Sequence, residues 1–437
     1  MDGNWSTPEN WSGDVLPGLG DVVQFDGTSS KNADIDAGFS GEVQGVVFAA
    51  GYTGTVSQQA ALTVGTAGWN QAAGTFQGGT QTIDVNGNVN GSGGSFTSTT
   101  GSLFVSGDFT LSGMTFSNAG GTLELDGASN ANFTLGAAVP FANWVLNKTG
   151  GAALTLLGGS PVVDTVTLSG GQLNGGLLNI NACQNATVTN GFTGGTATLN
   201  IVGGAGSWVI PADQTMPALT LNASGCSVLL SGVLVNTTTF QGAVLVQQGN
   251  LQLADTLAQF DSTLTNSGGT ITTGVGSVVL NGAVSLTAGT IDFGTATSVD
   301  VNANVQIAGG AYTDSSTASS YSGNIDAQTG VYNPNGGTVT LDGLTNSDLI
   351  FASAYLFNNL TLAKQNPGSI TITGATPIVA NQLSATGGSL DSGTLIVQQC
   401  QNMNITNGFQ GGVDHSQLLE EPETPRFLPI NRCQAFN

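Results

Sequence analysis

The sequence predicts an all-β solenoid, a stack of windings of about 20 residues, on three observations. Short runs that alternate apolar and polar residues recur at Leu62-Thr-Val64, Ile83-Asp-Val85, Leu103-Phe-Val105 and Leu123-Glu-Leu125, in steps of 21, 20 and 20 residues. They are too short for amphipathic helices and are separated by Gly, Ser, Thr and Asn, so each period reads as one strand followed by turns. The third observation is a duplication: Gly120-Gly-Thr-Leu-Glu-Leu-Asp-Gly127 returns as Gly336-Gly-Thr-Val-Thr-Leu-Asp-Gly343. A strand that cannot bury its own apolar side must stack on its neighbour, which is what a fixed period supplies. Tandem β-sandwich domains are the competing architecture.

Composition sets bounds on function. The chain has 437 residues, long for one compact domain, and a solenoid avoids that limit by growing in one dimension. Its 66 glycines mark turns, because 39% apolar content is enough for a continuous narrow core. Five Lys plus Arg stand against 27 Asp plus Glu, a net charge of −22. Too few cations are present to neutralise phosphates, which argues against nucleic acid, and the same balance argues against anionic membrane surfaces. No transmembrane span is visible, and no direct membrane insertion is expected. The acidity is read as a solubilising coat, with loosely bound divalent cations as the sharper alternative.

Residues 1–60 differ from the rest of the chain. Trp5, Trp11, Pro8, Pro17 and the scattered Asp14, Asp21, Asp26, Asp34 and Asp36 suit a cap over the open end of the first winding. Met1 runs straight into polar residues, so a processed fragment whose export signal has been removed is expected. Residues 61–199 form the first repeat block, and residues 200–276 keep its texture at Ala218-Leu-Thr-Leu221 and Ala243-Val-Leu-Val246, so one uninterrupted column is expected. Residues 277–412 duplicate 61–195: Thr82-Ile-Asp-Val-Asn86 matches Ser298-Val-Asp-Val-Asn302, and Cys183-Gln-Asn matches Cys400-Gln-Asn, with the offset growing from 215 to 217. The second copy keeps the step of 21 from Val278 to Val299, then makes one double step of 40 to Val339. Residues 413–437 break the pattern and hold the lone His415 with Arg426 and Arg432; a foreign tail is expected, or a seal on the last winding through Phe427, Leu428 and Ile430.

The run from Asn10 to Asp26, with Trp11, the turn Pro17-Gly18 and Asp21 ahead of an apolar strand, resembles the opening segment of autotransporter passengers and related large secreted bacterial proteins. A second phrase, Phe141-Ala-Asn-Trp-Val-Leu-Asn-Lys148 and Phe357-Asn-Asn-Leu-Thr-Leu-Ala-Lys364, is similar to the repeats of haemagglutinin-like passengers. The resemblance covers most of residues 10–412. It implies a right-handed parallel β-helix, secreted or displayed on the cell surface.

Four cysteines are present, Cys183, Cys226, Cys400 and Cys433. Cys183 and Cys400 are one position in two copies, too far apart to pair, and buried free thiols are expected. A bridge from Cys183 to Cys226 would cross about two windings, roughly 10 Å at ~4.8 Å each, beyond disulfide reach unless a loop bends back.

Catalytic chemistry finds little material. A lyase needs a cationic base beside clustered carboxylates, and up to residue 412 the cations are Lys31, Lys148 and Lys364, the last two in equivalent repeat positions. Glycoside hydrolysis needs two carboxyls, for which Asp34 with Asp36, or Asp84 with Asp108, are candidates, though chance adjacency explains such pairs as well. A Ser or Cys triad, or a zinc site, would depend on His415. Calcium loops of known pattern are absent, and Asp34 and Asp36 are the candidates for weakly bound Ca²⁺; no other cofactor is expected. The ten Asn-x-Ser/Thr sequons are read as inert. Asn185 and Asn402, with Thr189 and Thr406, recur at matched positions and suggest stacked ladders of amides and hydroxyls. Thr-x-Thr pairs such as Thr187-Val-Thr189 are too intermittent for an ice-binding face.

The expectation is therefore a non-enzymatic structural protein of the surface or extracellular space: fibre, stalk, surface-layer component or adhesin shaft, self-associating end to end, with cell-surface glycans or other surface proteins as further partners. The alternative is a β-helical protein that binds or degrades polysaccharide.

Overall fold

The four runs that mark the period in the sequence stand side by side in one ladder. In the computed structural model, Leu62 pairs with Ile83, Ile83 with Leu103, Leu103 with Leu123 and Leu123 with Trp144, all parallel and without slippage. The described residues are 2–233, 235–253, 257–399, 402–406, 408–411 and 418–419. They are almost entirely β, in a solenoid of about 21 residues per turn, and include two single-turn 3-10 segments, Pro8–Asn10 and Cys183–Asn185. None of them forms a helix long and apolar enough to cross a membrane. The chain divides into two compact units, Met1–Ile210 with Gln214–Ala218, and Pro211–Asp213 with Leu219–Asn437, so that each holds one copy of the duplicated block.

The windings at residues 83–97 and 103–117 of the first unit each add two short strands to the one legible in the sequence. A second ladder runs through Val89–Gly91, Phe109–Leu111, Ala131–Leu135 and Ala153–Gly158. A third runs through Ala33–Ile35, Thr55–Gln58, Thr75–Gln77, Ser95–Thr97 and Thr115–Ser117. These segments are only three to six residues long and rich in Gly, Ser, Thr and Asn, so they read as turns until a neighbouring winding supplies their hydrogen bonds. In the second unit Leu257–Phe260, Ser277–Leu280, Ser298–Val301, Ala318–Tyr321, Thr338–Leu341 and Leu356–Ala363 form the corresponding main ladder.

Alternation decides the core. Inward residues such as Val85, Val105 and Leu125 are at most 1% exposed, while Asp84, Phe104 and Glu124 between them face outward. Aromatic side chains continue from winding to winding, as in Phe96 over Phe116 at 5.6 Å between ring centroids and Phe109 over Phe133 at 5.0 Å. Glycine is required where one corner passes close to the next: at Gly94 (φ +73°) and its counterpart Gly310 (φ +70°), a Cβ would fall 2.4 and 2.3 Å from the carbonyl oxygens of Gly74 and Gly289.

The N-terminal segment lies over the first winding. The Trp5 amide donates to the Asp34 carbonyl at 2.9 Å, and the Trp5 ring packs against Trp11, Phe25 and Phe39 at centroid distances of 5.2 to 5.9 Å. The Asp36 carboxylate accepts from the Ser6 amide (2.9 Å), the Ser6 hydroxyl (2.6 Å) and the Gly38 amide (3.0 Å). Burial alone would raise this carboxyl; the Ser6 and Gly38 bonds outweigh it and hold it below the usual aspartate value. Its contribution is therefore present above the usual aspartate range and lost as the pH falls through the lowered value. Asp36→Ala is expected to release the segment at a cost of about 1 kcal/mol, seen as severalfold faster chymotryptic cleavage beside Trp5 and Trp11; an unchanged rate would show that the aromatic contacts hold the segment alone.

The cysteine expectation is corrected. Cys183 and Cys226 are buried and both are disulfide-bonded, and among the described residues no cysteine is free. Cys183 sits on a 3-10 turn outside the ladder, and Cys226 sits in Ala218–Leu230, whose register slips on both sides of Asn222, so neither takes a regular ladder position. Cys400 and Cys433 lie outside the described residues, as do His415, Arg426, Arg432, Phe427, Leu428 and Ile430. Of the tail, Leu418–Leu419 is described and pairs parallel to Leu395 and Ile396.

Candidate functional site

The densest polar constellation occurs twice, once in each unit. Ser106, Asp126 and Lys148 each follow directly on a strand of the main ladder, Ser102–Val105, Thr122–Leu125 and Pro140–Asn147. Ser322, Asp342 and Lys364 follow Ala318–Tyr321, Thr338–Leu341 and Leu356–Ala363 in the same way. Both lysines sit just past a register shift, between Leu146 and Asn147 and between Leu362 and Ala363. With Leu146 inward and Asn147 outward, the alternation turns Lys148 into the interior, where it is 2% exposed; Lys364 is 1% exposed.

The two corners share their bonds. The Ser106 hydroxyl donates to Asp126 at 2.7 Å and the Ser322 hydroxyl to Asp342 at 2.8 Å. Lys148 Nζ donates to the Ser106 carbonyl at 2.7 Å, and Lys364 Nζ to the Ser322 carbonyl at 2.8 Å and to the Asp342 carbonyl. In each case the ammonium reaches back 42 residues, across two windings. The following winding brings a glycine over the stem: a Cβ at Gly171 or Gly388 would lie 2.5 Å from the lysine Cβ. Burial lowers the Lys148 ammonium, opposed by Asp126 and Asp108, and burial lowers Lys364 to about 8, opposed by Asp342. A lysine of lowered pKa beside Ser and Asp has the parts of a general base, but here each ammonium donates to main-chain carbonyls and glycine backbone covers the stem. Chemically the corner can tie three windings together. The repeat of Lys148 at Lys364 was visible in the sequence; the glycine pairs Gly170-Gly171 and Gly387-Gly388 were the further signal that could have placed it.

The carboxylate candidates separate. Asp34 and Asp36 flank buried Ile35, with Asp36 committed to Ser6 and Gly38, and no group of three or more His, Cys, Asp or Glu able to hold a metal occurs among the described residues. Asp84 is raised by burial and by the charge of Asp126 rather than that of Asp108, whose carboxylate accepts the Asn132 amide at 2.7 Å.

A second cluster escaped the sequence reading. Asp314 is fully buried; Tyr321 donates to its Oδ1, Tyr332 donates to its Oδ2 at 2.5 Å, and the Tyr321 and Tyr312 hydroxyls are 3.2 Å apart.

Outside, side chains also join windings. Asn402 donates to Asn381 at 3.3 Å and Asn381 to Asn359 at 2.8 Å; Asn302 donates to Asn281, which donates to Asp261. Thr189 and Thr406 donate to the Ser169 and Thr386 carbonyls, a matched pair across the duplication. Among the tryptophans and tyrosines, Trp11 and Tyr355 are half-buried and the others are buried. Comparison of the chain with family models, with curated proteins and with solved structures returned no match.

Proposed function

We propose that the chain is a non-enzymatic structural segment of a secreted or cell-surface protein, of the stalk, fibre, surface-layer or adhesin-shaft kind, that associates end to end. The observation that carries this reading is the duplicated Ser-Asp-Lys corner: the groups best suited to chemistry are buried and bonded to the main chain, where they brace windings. The outer amide ladders act in the same direction. Association is supported at the N-terminal end. Among the described residues Val22–Phe25 pairs along one edge only, with Glu42–Phe48, and Val15, Leu16, Leu19 and Val22 beside it are 42–69% exposed.

The test is electron microscopy of the purified chain over a concentration series. Particles that lengthen by whole units on concentration, and that shift to at least about tenfold higher concentration in Val22→Lys, are the expected result; a lysine on an edge strand opposes pairing. Particles of one length at every concentration would remove the association. Release of reducing ends from a polysaccharide panel would overturn the non-enzymatic reading.

A further inference from the structure

The duplication supplies an internal control for the Asp314 cluster. At an offset of 216, Tyr312, Tyr321 and Tyr332 occupy the positions of Phe96, Val105 and Phe116, Ser319 that of Leu103, and Asp314 that of Ser98. Five core positions have thus become more polar together in the second unit. In the first unit the Ser98 hydroxyl is buried without a partner, and Thr99, at the position of Ser315, donates to the Gly79 and Gln81 carbonyls. In the second every polar atom has one: besides the Asp314 bonds, the Ser315 hydroxyl donates to the Ala296 carbonyl at 2.6 Å, the Ser315 amide donates to Ser319, and Asn335 closes the corner on the Asp314 carbonyl at 3.1 Å.

We propose that Asp314 and the three tyrosines around it form an acid-strengthened lock, in which protonation of the buried carboxyl makes the windings across residues 311–333 hold more firmly in mildly acidic surroundings than at neutral pH. The network satisfies either state. Ionised, Asp314 accepts from Tyr321 and Tyr332. Protonated, it donates to Tyr321, whose own hydrogen turns to the Tyr312 oxygen 3.2 Å away. The two states differ in one respect, a buried negative charge, and a desolvated charge without a counter-ion is costly.

Among the described residues no cation offsets that charge. The titratable groups facing Asp314 are Tyr312 on Ala311–Thr313, Tyr321 on Ala318–Tyr321 and Tyr332 on Val331–Asn333, each pushed well above the usual tyrosine value by burial and by Asp314. On the neighbouring strands Asp292, Asp300 and Asp326 occupy outward positions, and the Tyr355 hydroxyl donates to the Gly330 carbonyl. Burial therefore dominates and raises Asp314 to about 6, against the opposing bonds from Tyr321, Tyr332 and Ser319. A carboxyl raised in the folded state adds stability that is complete below its unfolded value and is lost as the pH rises through about 6. The lock acts opposite in sign to Asp36, and it stands independently of the structural role proposed above.

Hydrogen–deuterium exchange of the full chain at pH 5.0 and 7.5, with times scaled to the intrinsic rates, tests it. Amides of residues 311–333 are expected to exchange about tenfold more slowly at pH 5.0, the matched residues 95–117 to show no such change, and Asp314→Asn to abolish the difference. Protection that is equal at the two pH values, or that changes alike in 311–333 and 95–117, or that survives in Asp314→Asn, would overturn the lock. If Asp314→Asn does not fold, the comparison of the two segments within the wild-type chain decides alone.

Discussion

Trp69→Ala is expected to destabilise the first unit by about 3–5 kcal/mol, the range for removing a large buried aromatic. Trp69 is 1% exposed and stands between successive windings, 5.4 Å from the Phe48 ring, 4.8 Å from Phe76 and 5.2 Å from Phe96. Its indole N–H also donates to buried Gln71 at 3.2 Å, and Gln71 in turn donates to the Ser95 carbonyl of the next winding. A globular core can collapse around such a loss from several sides. Around Trp69 a winding packs mainly on its two neighbours, and their spacing is fixed by main-chain hydrogen bonds, so the cavity has little to collapse onto. The loss should appear in hydrogen exchange as faster opening of residues 43–97, with the second unit unchanged. A small uniform change across both units would mean that the stack does not carry its stability winding by winding.

Lys364→Met should cost the second unit about 1–3 kcal/mol, because the stem is kept while the Asp342 carbonyl loses the ammonium and the Ser322 carbonyl is left with the Thr345 and Ser347 hydroxyls. The pH dependence separates this from a packing defect. Burial lowers the ammonium to about 8, so the wild-type contribution is complete above the ordinary lysine value and is lost as the pH falls through about 8. Wild-type protection across residues 322–364 should therefore rise between pH 8 and 10, and Lys364→Met should be flat over that window. Lys148→Met should repeat the effect in the first unit with the same sign. A methionine variant as stable as the wild type would show that the lysine braces nothing. The window lies well away from that of Asp314, so the two groups can be read in one chain.

Much of this was legible because the solenoid writes its period into the chain. Leu62, Ile83, Leu103 and Leu123 had to fall on one ladder once they recurred at the winding length with polar residues on either side. Even the polar cluster left a trace: the double step from Val299 to Val339 skips the position where Ser319 now stands between them. What could not be read were directions. Lys148 has the composition of a surface residue, and only the strand's alternation, carried one residue past its end at Asn147, points it inward. Asp314 looks like one more turn aspartate, and only the meeting of three windings encloses it with tyrosines from positions 312, 321 and 332.

The repeat, the strand that anchors each winding and the equivalence of the two blocks are properties of the linear chain, since period-two alternation returning at a constant interval has one way to bury its apolar side. Folding in three dimensions was needed to settle that Cys183 and Cys226 are oxidised, that the windings at residues 83–97 and 103–117 carry three strands, and which polar side chains turn into the core. Those outcomes depend on how far alternation is carried past a strand's end and on turns that leave the ladder. Either places a side chain in the interior without altering the spacing that can be counted along the chain.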